Sequence, residues 1–126
     1  EAVTYTESIL KSAKSIDGLS VIAQSVGQID AQALRAMGDW LRDKDDSVVA
    51  LLAAASDDKI TFLATCGKKA IERGMHSGNL VRRVSSIAGG KGGGRPDSAM
   101  GGGKELSKVE EALAQVELYV RDVLAE

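Results

Sequence analysis

The chain has 126 residues, with 16 Lys+Arg against 18 Asp+Glu, 14 glycines, one proline, one cysteine and four aromatics. That length suits one domain, able to bury about two-thirds of its unfolded surface without covalent staples. Cys66 stands alone, which excludes an internal disulfide framework and fits a reducing compartment. The longest apolar run is the eight residues from Val48 to Ala55, far short of a membrane span. The chain opens at Glu1 with no signal peptide or methionine, so a piece of a longer, cytoplasmic protein is expected.

In chain order, residues 2–14 are predicted helical, with Ile9 and Leu10 as apolar anchors, and Asp17-Gly18 marks a turn. Residues 1–18 thus read as a helical lead-in and residues 19–126 as the domain proper. Leu19 to Val26 alternates as a strand, with Leu19, Val21 and Ala23 on one face. Asp30 can cap a helix over 31–43, with Ile29 and Leu34 as a hydrophobic staple and Leu34, Met37 and Leu41 as its buried stripe. Ser47 to Ala55 is apolar on both faces, as in a covered central strand. The Ser56-Asp57-Asp58 turn then returns the chain into Ile60 to Cys66, an antiparallel partner.

Gly78 to Ala88 is predicted helical, with Leu80, Val81, Val84 and Ile87 inward. His76, just before it, reads as a surface or capping residue, and Cys66 as a small buried hydrophobe. Ser107 and Glu110 are spaced as a capping box for a closing helix. Its stripe is Val109, Ala112, Leu113, Val116, Val120, Val123 and Leu124. These elements make an α/β fold, a small mixed β-sheet covered by helices, with a glycine-rich loop before the C-terminal helix.

That loop is the main anomaly. Eight of the 14 glycines and the only proline fall between Gly89 and Gly103, a segment expected to be neither helix nor strand. The charge is divided as well. Residues 67–108 hold nine basic and three acidic side chains, a net of +6, while the rest of the chain carries −8. A basic, glycine-rich centre on an acidic body points to an anionic partner. Successive glycines can curl uncovered N–H groups into a phosphate nest, and Lys91, Arg95 and Lys104 add charge around it. The candidate phosphate-binding residues are Gly90, Lys91, Gly92, Gly93, Gly94, Arg95, Lys104, Arg82 and Arg83. Pro96 and Asp97 shape the loop. Pro96 biases Arg95 towards an extended backbone, and Asp97 either pairs with Arg95 or starts a turn.

Nucleotide motifs fail on spacing. Gly103-Lys104 is followed by Glu105 rather than Ser or Thr, which breaks a Walker A loop, and Arg95 breaks G-x-G-x-x-G. The G-x-x-G at Gly90-Lys91-Gly92-Gly93 is nearly unavoidable in so glycine-rich a run. One histidine and one cysteine, distant in sequence, supply no metal-ligand spacing. No catalytic residue and no metal ligand is assigned. Trp40 and Phe62 fall on inward faces, leaving Tyr5 and Tyr119 as candidates for exposure. Recognition by backbone and shape, as for a folded RNA, therefore suits the chain better than base stacking on aromatics.

The run Gly89-Gly90-Lys91-Gly92-Gly93-Gly94-Arg95-Pro96-Asp97-Ser98-Ala99-Met100-Gly101-Gly102-Gly103-Lys104 resembles the glycine motif of the C-terminal, DHH-associated (C-Ala) domain of bacterial-type alanyl-tRNA synthetases. Leu34-Arg35 with Asp39, Leu80-Val81 ahead of the motif, and Glu111-Ala112-Leu113 in the closing helix are similar to that domain too. Ser98 and Met100 depart from its usual pattern.

The resemblance implies a non-catalytic module that binds tRNA(Ala) at its outer corner and helps link aminoacylation to editing. Its partners would be tRNA and other domains of the same synthetase, with a homodimer left open. No cofactor is expected in this segment; ATP, Mg and Zn would belong to other domains of a ligase. Two alternatives accompany it. One is an accessory domain of a DHH-type phosphoesterase, where the glycine motif typically runs into a histidine and this chain has Arg95. The other is the tail of a free-standing alanyl-tRNA editing protein.

Overall fold

In the computed structural model, which describes residues 2–126, the chain builds one six-stranded sheet of order β1-β2-β3-β4-β6-β5. The strands are β1 (Lys14–Ile16), β2 (Leu19–Gly27), β3 (Val48–Ala55), β4 (Ile60–Cys66), β5 (Gly92–Gly94) and β6 (Ser98–Gly103). The helices are α1 (Ala2–Lys11), α2 (Ala31–Lys44), α3 (Lys68–Glu72), α4 (Ser77–Ile87) and α5 (Val109–Leu124). Only β2 and β3 pair in parallel, joined through α2; every other neighbouring pair is antiparallel. The fold is thus a mixed α/β sheet with helices on both faces.

Each central strand splits its side chains between two cores, because successive residues point to opposite faces. Val49, Leu51, Ala53, Phe62, Ala64 and Cys66 face α3, α4 and α5. Val48, Ala50, Leu52, Ala54 and Leu63 face α1 and α2. This double covering explains why Val48 to Ala55 shows no polar alternation. On β2, Leu19 and Val21 join the first core and Ile22 and Val26 the second, whereas Ala23 is exposed.

Local signals behave as their chemistry requires. The Asp30 carboxylate accepts from the Ala33 N–H at 2.8 Å and starts α2, whose Leu34, Met37 and Leu41 are buried. Asp17 and Gly18 take φ of +50° and +85°, the left-handed pair that a two-residue hairpin demands. That hairpin corrects the first helix: it ends at Lys11, and Lys14–Ile16 pairs with β2 rather than continuing the helix to residue 14. The short α3 leaves no separate mark in the sequence pattern. The Ser107–Glu110 capping box is also corrected. Leu106–Lys108 forms a single 3-10 turn, and α5 starts behind Lys108 with no side-chain cap. The predicted stripe of α5 is inward, with Ala112, Val116 and Val120 fully buried.

The largest correction concerns Gly89 to Gly103. It is a β-hairpin, β5 and β6, added antiparallel to the edge of β4. Glycines fit because α4 crosses the hairpin at a distance no side chain would permit. A Cβ on Gly101 would clash with Ser85 Oγ of α4, and within the hairpin one on Gly90 would clash with the Gly102 carbonyl oxygen. The first turn of α4 is tied to the hairpin tip, with Ser77 N–H donating to Pro96 O (2.9 Å) and Gly78 N–H to Arg95 O (3.2 Å).

Candidate nucleic-acid interface

The hairpin has a covered face and an open one. Gly92, Ala99, Gly101 and Gly103 turn towards α4; Gly92 and Gly101 meet Ser85, and Gly103 meets Ala88. By alternation, Lys91, Gly93 and Arg95 on one side of the hairpin, and Ser98, Met100, Gly102 and Lys104 on the other, share the opposite face. Helix α2 covers β3 and the middle of β4 on that side, leaving this edge of the sheet free of an overlying helix. The result is a strip with few side chains and a cationic border. Lys91 and Arg95 stand about 13 Å apart on it, at roughly 3.3 Å per residue.

Hairpin pairing replaces the expected phosphate nest. Gly102 N–H donates to Lys91 O, Arg95 N–H to Ser98 O and Gly90 N–H to Ser85 O. In the antiparallel alternation, only Gly92 and Gly94 within β5 turn their N–H groups away from β6. An anion approaching the segment would therefore meet side chains more than backbone donors.

At the tip of the hairpin, arginines gather. The Arg95 guanidinium, 77% exposed, meets the Asp97 carboxylate twice, Nε–Oδ1 at 3.2 Å and Nη2–Oδ2 at 3.3 Å. Of the two roles open to Asp97, pairing is the one adopted. A surface groove beside the tip is lined by Arg35, Asp39, Arg42, Arg95, Ser98 and Met100, together with Gly93, Gly94 and Ala99. Arg42 anchors it from α2, donating to Thr65 Oγ1 and Asp97 O at 3.1 Å each and to Asp39 Oδ1 at 3.0 Å. Arg35 reaches Met100 Sδ at 3.0 Å. Sequence reasoning missed the approach of Arg35 and Arg42 to this site. They lie some sixty residues from the glycine segment and meet it only through the order of the strands.

The remaining candidates separate. Arg82 is exposed, holds Asn79 Oδ1 at 3.0 Å and extends around the sheet edge to within 3.3 Å of the Cβ position of Gly93. Arg83 points the other way, donating to Gln115 Oε1 and Asp122 Oδ2 at 2.9 Å each, so it joins α4 to α5. Lys91 and Lys104 lie at the opposite end of the hairpin from Arg95, beside Gly90 and Gly102, where Lys59 joins them.

Under the tip, Cys66 is fully buried, and burial pushes its thiol up to about 11. His76 caps α4 as expected, its Nδ1 accepting from Asn79 N–H at 3.1 Å. Tyr119 is buried, contrary to the expectation of exposure. Its hydroxyl accepts from His76 N–H at 2.9 Å and donates to His76 O at 3.2 Å. Phe62 is buried and Trp40 half-buried, so Tyr5 is the exposed aromatic among the described residues. No described group of three or more His, Cys, Asp and Glu is placed to hold a metal ion. Nor is any described helix long and apolar enough to cross a membrane.

Comparison with known proteins agrees with this architecture. The alanine–tRNA ligase of Bacillus anthracis is 46% identical over 123 residues, 98% of this chain. That of Bacillus subtilis (strain 168) is 46% identical over 116 residues, 92% of this chain. The chain spans only 14% and 13% of the length of these two relatives. Among solved structures, the C-Ala domain of Aquifex aeolicus alanyl-tRNA synthetase superposes with a TM-score of 0.75 at 28% identity, covering 91% of this chain and 99% of that one. A DHH-domain structure described as a member of the s1p family of ribosomal proteins shares the fold at a TM-score of 0.51 and 18% identity, covering 97% of this chain and 31% of that one. The DHHA1 domain model matches residues 18–122, and the chain belongs to the DHHA1 domain family.

Proposed function

We propose that this DHHA1 domain is the tRNA-binding C-terminal module of an alanine–tRNA ligase, gripping tRNA(Ala) by its backbone at the outer corner and helping to link aminoacylation with editing. The observation that carries this reading is the open face of the β5–β6 hairpin. There Lys91, Arg82 and Arg95 border a glycine strip, and Arg35 and Arg42 flank its tip. Arginine forks can hold phosphate oxygens bidentately, and a surface with few protruding side chains lets an RNA backbone approach closely. The scarcity of exposed aromatics favours recognition of backbone and shape over stacked bases. ATP, Mg and Zn chemistry would lie in other domains of a cytoplasmic parent enzyme, with tRNA and those domains as partners.

The reading is tested by equilibrium binding of the chain to a tRNA(Ala) transcript across a salt series. Arg95→Ala with Lys91→Ala should weaken binding and lower the log–log salt slope by about one unit for each phosphate no longer neutralised. Unchanged affinity and slope would remove the hairpin as the site.

A further inference from the structure

The base of the hairpin holds a second groove, distinct from the arginine groove at its tip. It measures about 400 Å³ and is lined by Lys59, Ile60, Gly89, Gly90, Lys91, Gly102, Gly103 and Lys104. We propose that this groove is a nucleotide subsite. In it, one unpaired nucleotide of the bound RNA lays its base or ribose on the glycine floor and its phosphate between the lysine ammonium groups. The assignment rests on the RNA-binding reading of the hairpin and adds to it a separate pocket, a residue from another strand and a ligand unit.

Charge is the first ground. Lys59, Lys91 and Lys104 are exposed and make no ion pair among the described residues, and no carboxylate lines the groove. The Glu105 carboxylate lies over Gly89, and Asp57 and Asp58 stand in the turn before Lys59. Three unpaired ammonium groups around one concavity favour a phosphate, which can accept from each of them.

Shape is the second. Four of the eight lining residues are glycine and the Ile60 side chain is buried in the core, so the floor is mainly backbone, without an aromatic platform. The volume lies within the range of small-ligand pockets, roughly 300–1,000 Å³. The floor is also held in place. Gly90 crosses Gly102 at van der Waals limits, and Gly90 N–H to Ser85 O, Gly102 N–H to Lys91 O and Lys104 N–H to Ala88 O are each 2.9 Å. A preformed surface loses little ordering entropy on binding.

The test uses the same tRNA(Ala) salt series with two further variants. Lys59→Gln with Lys104→Gln removes exposed charges without touching the core. It should cost about tenfold in affinity and lower the salt slope by about one to two units. Gly102→Ala raises the floor, its Cβ meeting nothing closer than Ile60 O at 3.3 Å, and should weaken binding several-fold with the slope unchanged. If the lysine variant binds like the parent while Arg95→Ala still weakens binding, the subsite is overturned and the hairpin reading stands. If the lysine variant lowers the slope but Gly102→Ala binds like the parent, the nucleotide assignment is overturned in favour of a bare phosphate contact. If the parent chain binds no tRNA, the underlying RNA reading fails before any variant is compared.

Discussion

The two ends of the β5–β6 hairpin carry the same sign of charge in opposite states. At the tip, Arg42 is paired with Asp39 and Arg95 with Asp97, so two of the three groove arginines are already compensated. At the base, Lys59, Lys91 and Lys104 are uncompensated. Pairing fixes the arginine forks in place and lowers their field, whereas the lysines keep their field and their freedom. A ligand phosphate drawn to Arg42 or Arg95 competes with a carboxylate, whereas no carboxylate lines the groove at the base. The tip is thus suited to geometric selection and the base to attraction.

The sharpest way to break this comparison is to collapse the hairpin that holds the ends apart. Gly90→Ala drives a Cβ against the Gly102 carbonyl and should destabilise the chain by about 3 kcal/mol in urea unfolding. Gly102→Ala, with its nearest neighbour at 3.3 Å, should cost under about 1 kcal/mol, which separates fold from site.

A second effect belongs to the tip alone, which is seated on Cys66 through Cys66 N–H to Asp97 O at 3.2 Å. Burial raises the folded thiol from 9.0 to about 11, so folding favours the protonated form. The associated stability is fully present below about pH 9 and is lost as pH rises to about 11. It amounts to roughly 2–3 kcal/mol at about 1.4 kcal/mol per unit. Urea unfolding between pH 8 and 11 should show this fall in the parent and a flatter profile in Cys66→Ala. The smallest effect sharpens the charge contrast. Asp97→Asn frees Arg95 from an exposed pair worth roughly 0.2–1 kcal/mol and should raise tRNA affinity about two- to threefold.

Legibility in the sequence follows the side chains. Strands β2, β3 and β4 and helices α2, α4 and α5 are readable because alternation, periodicity and the Asp30 and His76 caps leave marks on residue type. β5 and β6 are not, since glycine has no side chain to alternate, β6 becomes a strand by pairing with the distant β4, and β5 pairs in turn with β6. The charge cluster marks one segment of the sequence, yet the fold does not keep its residues together. Arg83 is turned to α5, while Arg35, Arg42 and Lys59 arrive from other elements through the strand order. Convergence of this kind has no local sequence signature.

The donors that tie Ser77 and Gly78 to the hairpin tip have a consequence for how the molecule opens. β5 has almost no side chains with which to hold itself to the sheet, and its tip is secured by the first turn of α4. Helix and hairpin should therefore unfold as one cooperative unit, with the amide protons of β5 exchanging at the rate set by α4. A nucleic-acid strand lying on the hairpin would then slow exchange throughout a helix on the other face of the sheet.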